Sequence, residues 1–131
     1  MDIRTHQRID RGLCGTPALL APGLAAVELE ATANMAADAH GLVHGGFVFG
    51  LADHAAMLAV NEPNVVLVSA ETKFLRPVRP GDRLRAEAKV LAQEPPRYTV
   101  QCTVLCAGQP VFEGTLSCQV TRQHVLARER P

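Results

Sequence analysis

The run from Phe47 to Val60 constrains this 131-residue chain more than any other stretch. Val48, Leu51, Ala55, Leu58 and Ala59 recur at helical spacing. Phe47, Val48, Phe49, Leu51, Met57, Leu58 and Val60 together cover nearly every side of the helix so defined. A helix that is apolar all round cannot lie on a surface and has to be enclosed. The pattern predicts about fourteen residues, roughly four turns, opened by Gly45-Gly46. It closes near Asn61-Glu62-Pro63-Asn64, where Pro63 disfavours helical geometry for the residue before it.

The material available to enclose this helix is strand. Ala26 to Ala31 alternates apolar and acidic residues with a period of two and reads as the first strand, after the breakers Gly15, Pro17, Pro22 and Gly23. Beyond the helix, Val65-Val66-Leu67-Val68 opens a second strand that runs to Leu75 and stops at Arg76-Pro77. A turn at Pro80-Gly81-Asp82 leads to Leu84, Ala86, Ala88 and Val90, which alternate with Arg83, Arg85, Glu87 and Lys89. Past Pro95-Pro96, one face collects Tyr98, Val100, Cys102, Val104 and Cys106. Ala107-Gly108-Gln109-Pro110 then makes a hairpin-like connection to Phe112, Gly114, Leu116, Cys118 and Val120. The expected order is strand, helix, then four strands in antiparallel succession. This is an α+β fold, a curved antiparallel sheet wrapped around one central helix. One domain is expected over 1–131, with its core at about 17–122. Residues Ile3 to Leu13 give one short helical approach, peripheral to the core, and Gln123 to Pro131 a solvated tail. The open edges and outer face of such a sheet predict at least a dimer.

Charge and cysteine usage narrow the function. Thirteen basic and thirteen acidic residues cancel, whereas a nucleic-acid-coating protein usually carries a basic excess. Nucleic acid is not an expected partner. The charged opening MDIRTHQRIDRGLCG does not read as a secretory signal, and no apolar run reaches the 18 or so residues of a membrane span. A cytoplasmic protein without a membrane partner is expected. Cys14, Cys102, Cys106 and Cys118 form no C-x-x-C pair and read as reduced thiols that pack as small hydrophobes. Nothing resembles a metal site.

Asp53 and His54 are the ionisable side chains of the apolar helix. An unpartnered buried carboxylate costs several kcal/mol or is forced to protonate, so a sequence retains one chiefly for pairing or for function. Two uses of Asp53 stand side by side: a structural one, facing water or an arginine, and a catalytic one. The turn before it favours the second. Gly45 and Gly46 let backbone approach a ligand, and the first N–H groups of the helix lack internal partners. Those groups lie at the positive end of the helix dipole, where a carbonyl oxygen gaining negative charge would be stabilised. His54, turned about 100° from Asp53, reads as structural, and His40 as a surface loop residue. Lys73, Arg76, Arg79, Arg83, Arg85 and Lys89 form the densest basic stretch. Arg76 and Arg83 are candidates for phosphate contacts, against the bland use of these residues as the solvated face of two strands.

His44-Gly45-Gly46-Phe47-Val48-Phe49-Gly50-Leu51-Ala52-Asp53 closely resembles the HGG-x-x-x-x-L-x-D signature of hotdog-fold thioesterases of the phenylacetate-degradation type. Phe74-Leu75-Arg76-Pro77 followed by Gly81-Asp82-Arg83-Leu84 is similar to that family's second strand and turn, so the likeness covers roughly Val27 to Val120. The resemblance implies a homodimer or homotetramer, an acyl-CoA substrate, no cofactor because water is the second substrate, and active sites at a subunit interface. It implies Asp53 as the catalytic base or nucleophile, the Gly45 N–H as donor to the thioester carbonyl, and His44 as a positioning residue. The other use of His44 is as a cap of the turn through its ring. Gly46 belongs to the same turn. Two departures from the pattern stand out. Asp38 and Ala39 replace the asparagine and glycine that relatives often carry upstream, and Asp38 is left to hydrogen-bond the turn. The family's strand hydroxyl has Ser69 as its candidate here. A second function from another class is a non-catalytic acyl-CoA-binding or sensor domain, because hotdog domains of some regulators bind thioesters without cleaving them. A hydratase is a weaker third, since its Asp-x-x-x-x-His pair is not matched by Asp38, His40 and His44.

Overall fold

The computed structural model describes residues 1–127. A short helix α1 (Arg11–Cys14) precedes a hairpin of β1 (Thr16–Ala21) and β2 (Leu24–Glu30). A 3-10 turn (Ala33–Met35) and a loop lead to the long helix α2 (Gly45–Val60). Then come β3 (Val65–Phe74), β4 (Arg83–Glu94), β5 (Arg97–Cys106), β6 (Gln109–Val120) and a second 3-10 turn, Val125–Ala127. The strands form one sheet in the order β1-β2-β4-β5-β6-β3, every neighbouring pair antiparallel.

The two-residue alternation works out in the registers. Val27 pairs with Ala86, Ala86 with Val104, Val104 with Phe112 and Phe112 with Phe74, so one row of inward side chains crosses five strands. A parallel row of small residues, Ala25, Ala88, Cys102 and Gly114, lies beside it. Leu51, Met57 and Leu58 of α2 are fully buried against this concave side. Each contributes about 1.5–3 kcal/mol through the apolar area it removes from water. Ala52, Ala55, Ala56 and Ala59 are buried with them, and the short side chains let helix and sheet approach closely. The curved sheet closed on one helix is the hotdog fold.

Three expectations change. The sheet has six strands, because Thr16–Ala21 pairs with β2 ahead of the strand expected to be first. Pro17 does not prevent this: β1 is an edge strand with a bulge between Pro17 and Leu19, where a missing N–H costs no ladder bond. The succession of four strands is also broken, since β3 lies beyond β6 at the far edge. Its polar Ser69, Glu71 and Lys73 suit an edge, and Val68 (61% exposed) and Phe74 (56%) stay open to solvent there. Finally, the N-terminal helix is confined to four residues, capped by Asp10, whose carboxylate accepts from the N–H groups of Gly12 and Leu13. α2 itself runs to sixteen residues. Of the expected tail, Gln123 to Ala127 is exposed, and residues 128–131 lie outside those described.

The segment ahead of β1, mostly exposed, is tied to the end of α2. Asn61 ends α2 in the left-handed region (φ 52°) and is buried. Its side chain accepts from the Arg4 N–H (2.8 Å) and donates to the Asp2 carbonyl (2.8 Å). Thr5 is buried, and the His6 ring stacks on His54 at 6.3 Å. His54 bonds through Nδ1 to the Cys14 carbonyl at 3.0 Å, the structural part expected of it. Burial holds both histidines below the usual imidazole range. The four cysteines are free, with Cys102 and Cys118 buried in the core.

Candidate active site

Asp53 stands near the middle of α2, with Ala52, Ala55 and Ala56 buried around it. Its Oδ1 is fully buried and has no hydrogen-bond partner. Among the described residues it enters no ion pair. The carboxylate is thus half-buried, with one oxygen enclosed and no arginine beside it. Burial pushes its pKa up to about 6. It lies within electrostatic reach of Cys14, Cys102 and Cys118, whose thiols are raised first by burial and further by this charge. An acid with that value is mostly ionised at neutrality and is still basic enough to take a proton in a transition state.

The other element is the start of α2. His44 is its N-cap, with an extended backbone, and its ring makes no cap hydrogen bond. The His44 N–H donates to the Met35 carbonyl (2.9 Å), the His44 carbonyl accepts from Phe47 N–H (3.0 Å), and the ring meets Phe47 edge-on. Among the described residues, the N–H groups of Gly45 and Gly46 have no acceptor outside the helix. A side chain at either glycine would have to push a neighbouring ring aside. A Cβ on Gly45 would come to 3.2 Å from the Phe74 ring, and one on Gly46 to 3.0 Å from the His44 ring. Asp38 shapes the approach to the turn. Its carboxylate accepts from the N–H groups of His40 (3.0 Å) and Leu42 (3.2 Å), closing the loop just ahead of His44. His40 is exposed there.

Gly45 opens on a cleft of about 320 Å³ lined by Leu42, Val48, Phe74, Val111 and Arg76. Arg76 is thus brought to the turn, and Arg83 is not: it pairs in register with Glu30 on the β2–β4 ladder. Ser69 lies elsewhere, opposite Ser117 after a bulge in β3, on a separate cleft with Thr99 and Arg97. The basic stretch is broken up by acids, since Arg85 pairs with Glu28 (3.4 Å) and Glu87 (3.1 Å). Asp53 and Gly45 are on one helix but not at one point. Eight residues at 1.5 Å rise separate them by about 12 Å along the axis, too far for one carbonyl group to touch both. Sequence reasoning missed the Phe74 ring over Gly45 and the Asn61 clamp, both long-range contacts with no local pattern.

The sequence profile described as the thioesterase superfamily matches residues 40–113. Among curated proteins, the methylthioribose-1-phosphate isomerase of Aquifex aeolicus (strain VF5) is 47% identical over 114 residues, 87% of this chain and 25% of that protein. The transcription factor FapR of Caldanaerobacter subterraneus subsp. tengcongensis is 29% identical over 85 residues, 65% of this chain and 42% of that one. The chain thus spans a quarter of the first relative and less than half of the second. Among solved structures, the uncharacterized protein PH1136 of Pyrococcus horikoshii has 48% identity and a TM-score of 0.95, covering 96% of this chain and 97% of that one. A point mutant of the phenylacetic acid degradation protein PaaI of Thermus thermophilus has 33% identity and a TM-score of 0.77, covering 83% and 95%.

Proposed function

Because the chain belongs to the thioesterase superfamily, we propose that it hydrolyses an acyl-CoA thioester to the free acid and CoA, with Asp53 as base or nucleophile. The observation that carries this is the buried, unpartnered Oδ1 of Asp53 on a helix whose other ionisable side chain, His54, has its partner in the Cys14 carbonyl. A fold gains no stability from such a group, so its retention points to chemistry. As a base, the carboxylate takes a proton from water while the oxygen bonds to the thioester carbon. The carbonyl oxygen becomes an oxyanion facing the Gly45 N–H at the positive end of α2. Collapse breaks the C–S bond, and protonated Asp53 returns its proton to the CoA sulfur. As a nucleophile, Asp53 bonds to the thioester carbon and expels CoA as its thiolate, leaving a mixed anhydride; water cleaves this to the free acid and the Asp53 carboxylate, and the proton released goes to the thiolate.

The separation of about 12 Å between Gly45 and Asp53 supports a site in which one copy supplies the donor and a second copy the carboxylate, hence a homodimer or homotetramer. The unpaired edge of β3 is available for such pairing. His44 and Gly46 frame the donor, with Asp38 holding their loop. Arg76, on the Gly45 cleft, is better placed for a CoA phosphate than Arg83, and Ser69 stands apart from both. The second reading, an acyl-CoA sensor, is favoured by the likeness to a transcription factor. The test is thiol release from short aliphatic, long aliphatic and aryl-acetyl CoA thioesters by wild type and Asp53→Asn. Turnover by wild type with loss in the folded variant is expected. Binding by both proteins without thiol release would replace hydrolysis with sensing.

A further inference from the structure

Nine of the ten glycines have a local reason to be glycine. Gly15, Gly23, Gly41, Gly81 and Gly108 adopt positive φ, and at Gly12, Gly45, Gly46 and Gly114 a Cβ would meet a neighbour at 3.0 to 3.2 Å. Gly50 has neither. It lies inside α2, its φ is not positive, and nothing stands within 4 Å of the Cβ position. Glycine in a helix interior is disfavoured against alanine, so the empty space is kept at a cost to the helix.

The position of that space says what uses it. Residues 50 and 53 are three apart on a helix and share a face, with Cβ positions about 5–6 Å from one another. Gly46, four residues before, extends the same face. We infer that the acyl group of the thioester lies over Gly50 beside Asp53, and that the missing side chain sets how much bulk is accepted next to the thioester carbon. This rests on the reaction proposed above. The acyl end fits better than the CoA end. α2 carries no Lys or Arg to meet phosphates, and its remaining polar side chain, His54, is turned away to the Cys14 carbonyl, leaving no partner for pantetheine amides.

The experiment uses the full chain with Gly50→Ala and Gly50→Val, tested on acetyl-CoA, isobutyryl-CoA and benzoyl-CoA. In wild type the acyl group has the whole space. In Gly50→Val the ratio of kcat/KM for benzoyl-CoA to that for acetyl-CoA falls at least tenfold, in keeping with the cost of one or two misplaced methyl groups in an apolar pocket. Gly50→Ala raises the melting temperature by roughly 2–5 °C, because nothing is displaced and helix propensity improves. An equal fall for every substrate, a lower melting temperature, or a changed oligomeric state in gel filtration would overturn the inference and give the space to the fold or to a second copy. If wild type releases no thiol from any member, hydrolysis itself fails. The same ratio is then read from dissociation constants by calorimetry. Selective weakening of benzoyl-CoA keeps Gly50 in an acyl site, whereas uniform weakening, no change or no binding removes it.

Discussion

Replacing Asp53 by Asn should make the protein more stable while removing its activity. The two side chains are nearly isosteric, so the packing around Ala52, Ala55 and Ala56 stays intact and only the charge is lost. The Asp53 pKa is raised by burial from 3.8 to about 6, so the folded state holds this proton more tightly than the unfolded chain. The sign follows: ionisation penalises folding, fully above pH 6 and not at all below the unfolded value. At pH 7 the penalty is about 3 kcal/mol, and at pH 5 about half of that. Urea unfolding of wild type and Asp53→Asn at one protein concentration, from pH 4.5 to 8, measures the gap directly. It should open as pH rises through 5 and 6 and then level off. A gap that is absent, reversed or independent of pH would show that the folded carboxylate is solvated or paired, and would remove the physical ground for treating it as a functional group.

Hydrolysis should depend on the ionised form, so kcat/KM rises with pH through a limb near 6 and flattens above it; a limb near 4 would mean Asp53 is not the titrating group. Gly15→Ala should cost about 2–4 kcal/mol in thermal or urea unfolding, since φ is 96° and a Cβ would lie 2.7 Å from the Leu51 and Val27 side chains. The neutral His6–His54 pair should make Asp53→Asn lose stability on acidification below about pH 6.5, because the unfolded chain protonates imidazoles that the fold keeps neutral. Gly45→Pro removes the donor at a helix position that tolerates proline. Mixed and refolded with Asp53→Asn, it should recover about a quarter of the wild-type sites through hybrid dimers, and no recovery would argue for a site within one chain.

The legibility of this chain follows from which forces are local. β4, β5 and β6 were readable because each buries one face, so Leu84, Ala86 and Ala88, or Val100, Cys102 and Val104, had to alternate with polar residues. α2 was readable because its apolar run is too dense for a surface. β1 was hidden by Pro17, which is a breaker in a central strand and harmless on an edge. The placement of β3 was hidden because a strand's partner is a tertiary choice, and only its polar residues hinted at an edge. The site divides the same way. Asp53 stood out chemically against its neighbours and Gly45-Gly46 by local backbone rules. The contact of Phe74 with Gly45 joins residues 29 apart in the chain, and no period or propensity reports such a meeting.

The Asn61 clamp also sets an order of events during synthesis. Its two hydrogen bonds join residues 57 and 59 positions apart, so Asp2 and Arg4 leave the ribosome long before the asparagine that will hold them. That stretch therefore waits for its anchor until the helix bearing Asp53 is complete, and then locks the end of that helix.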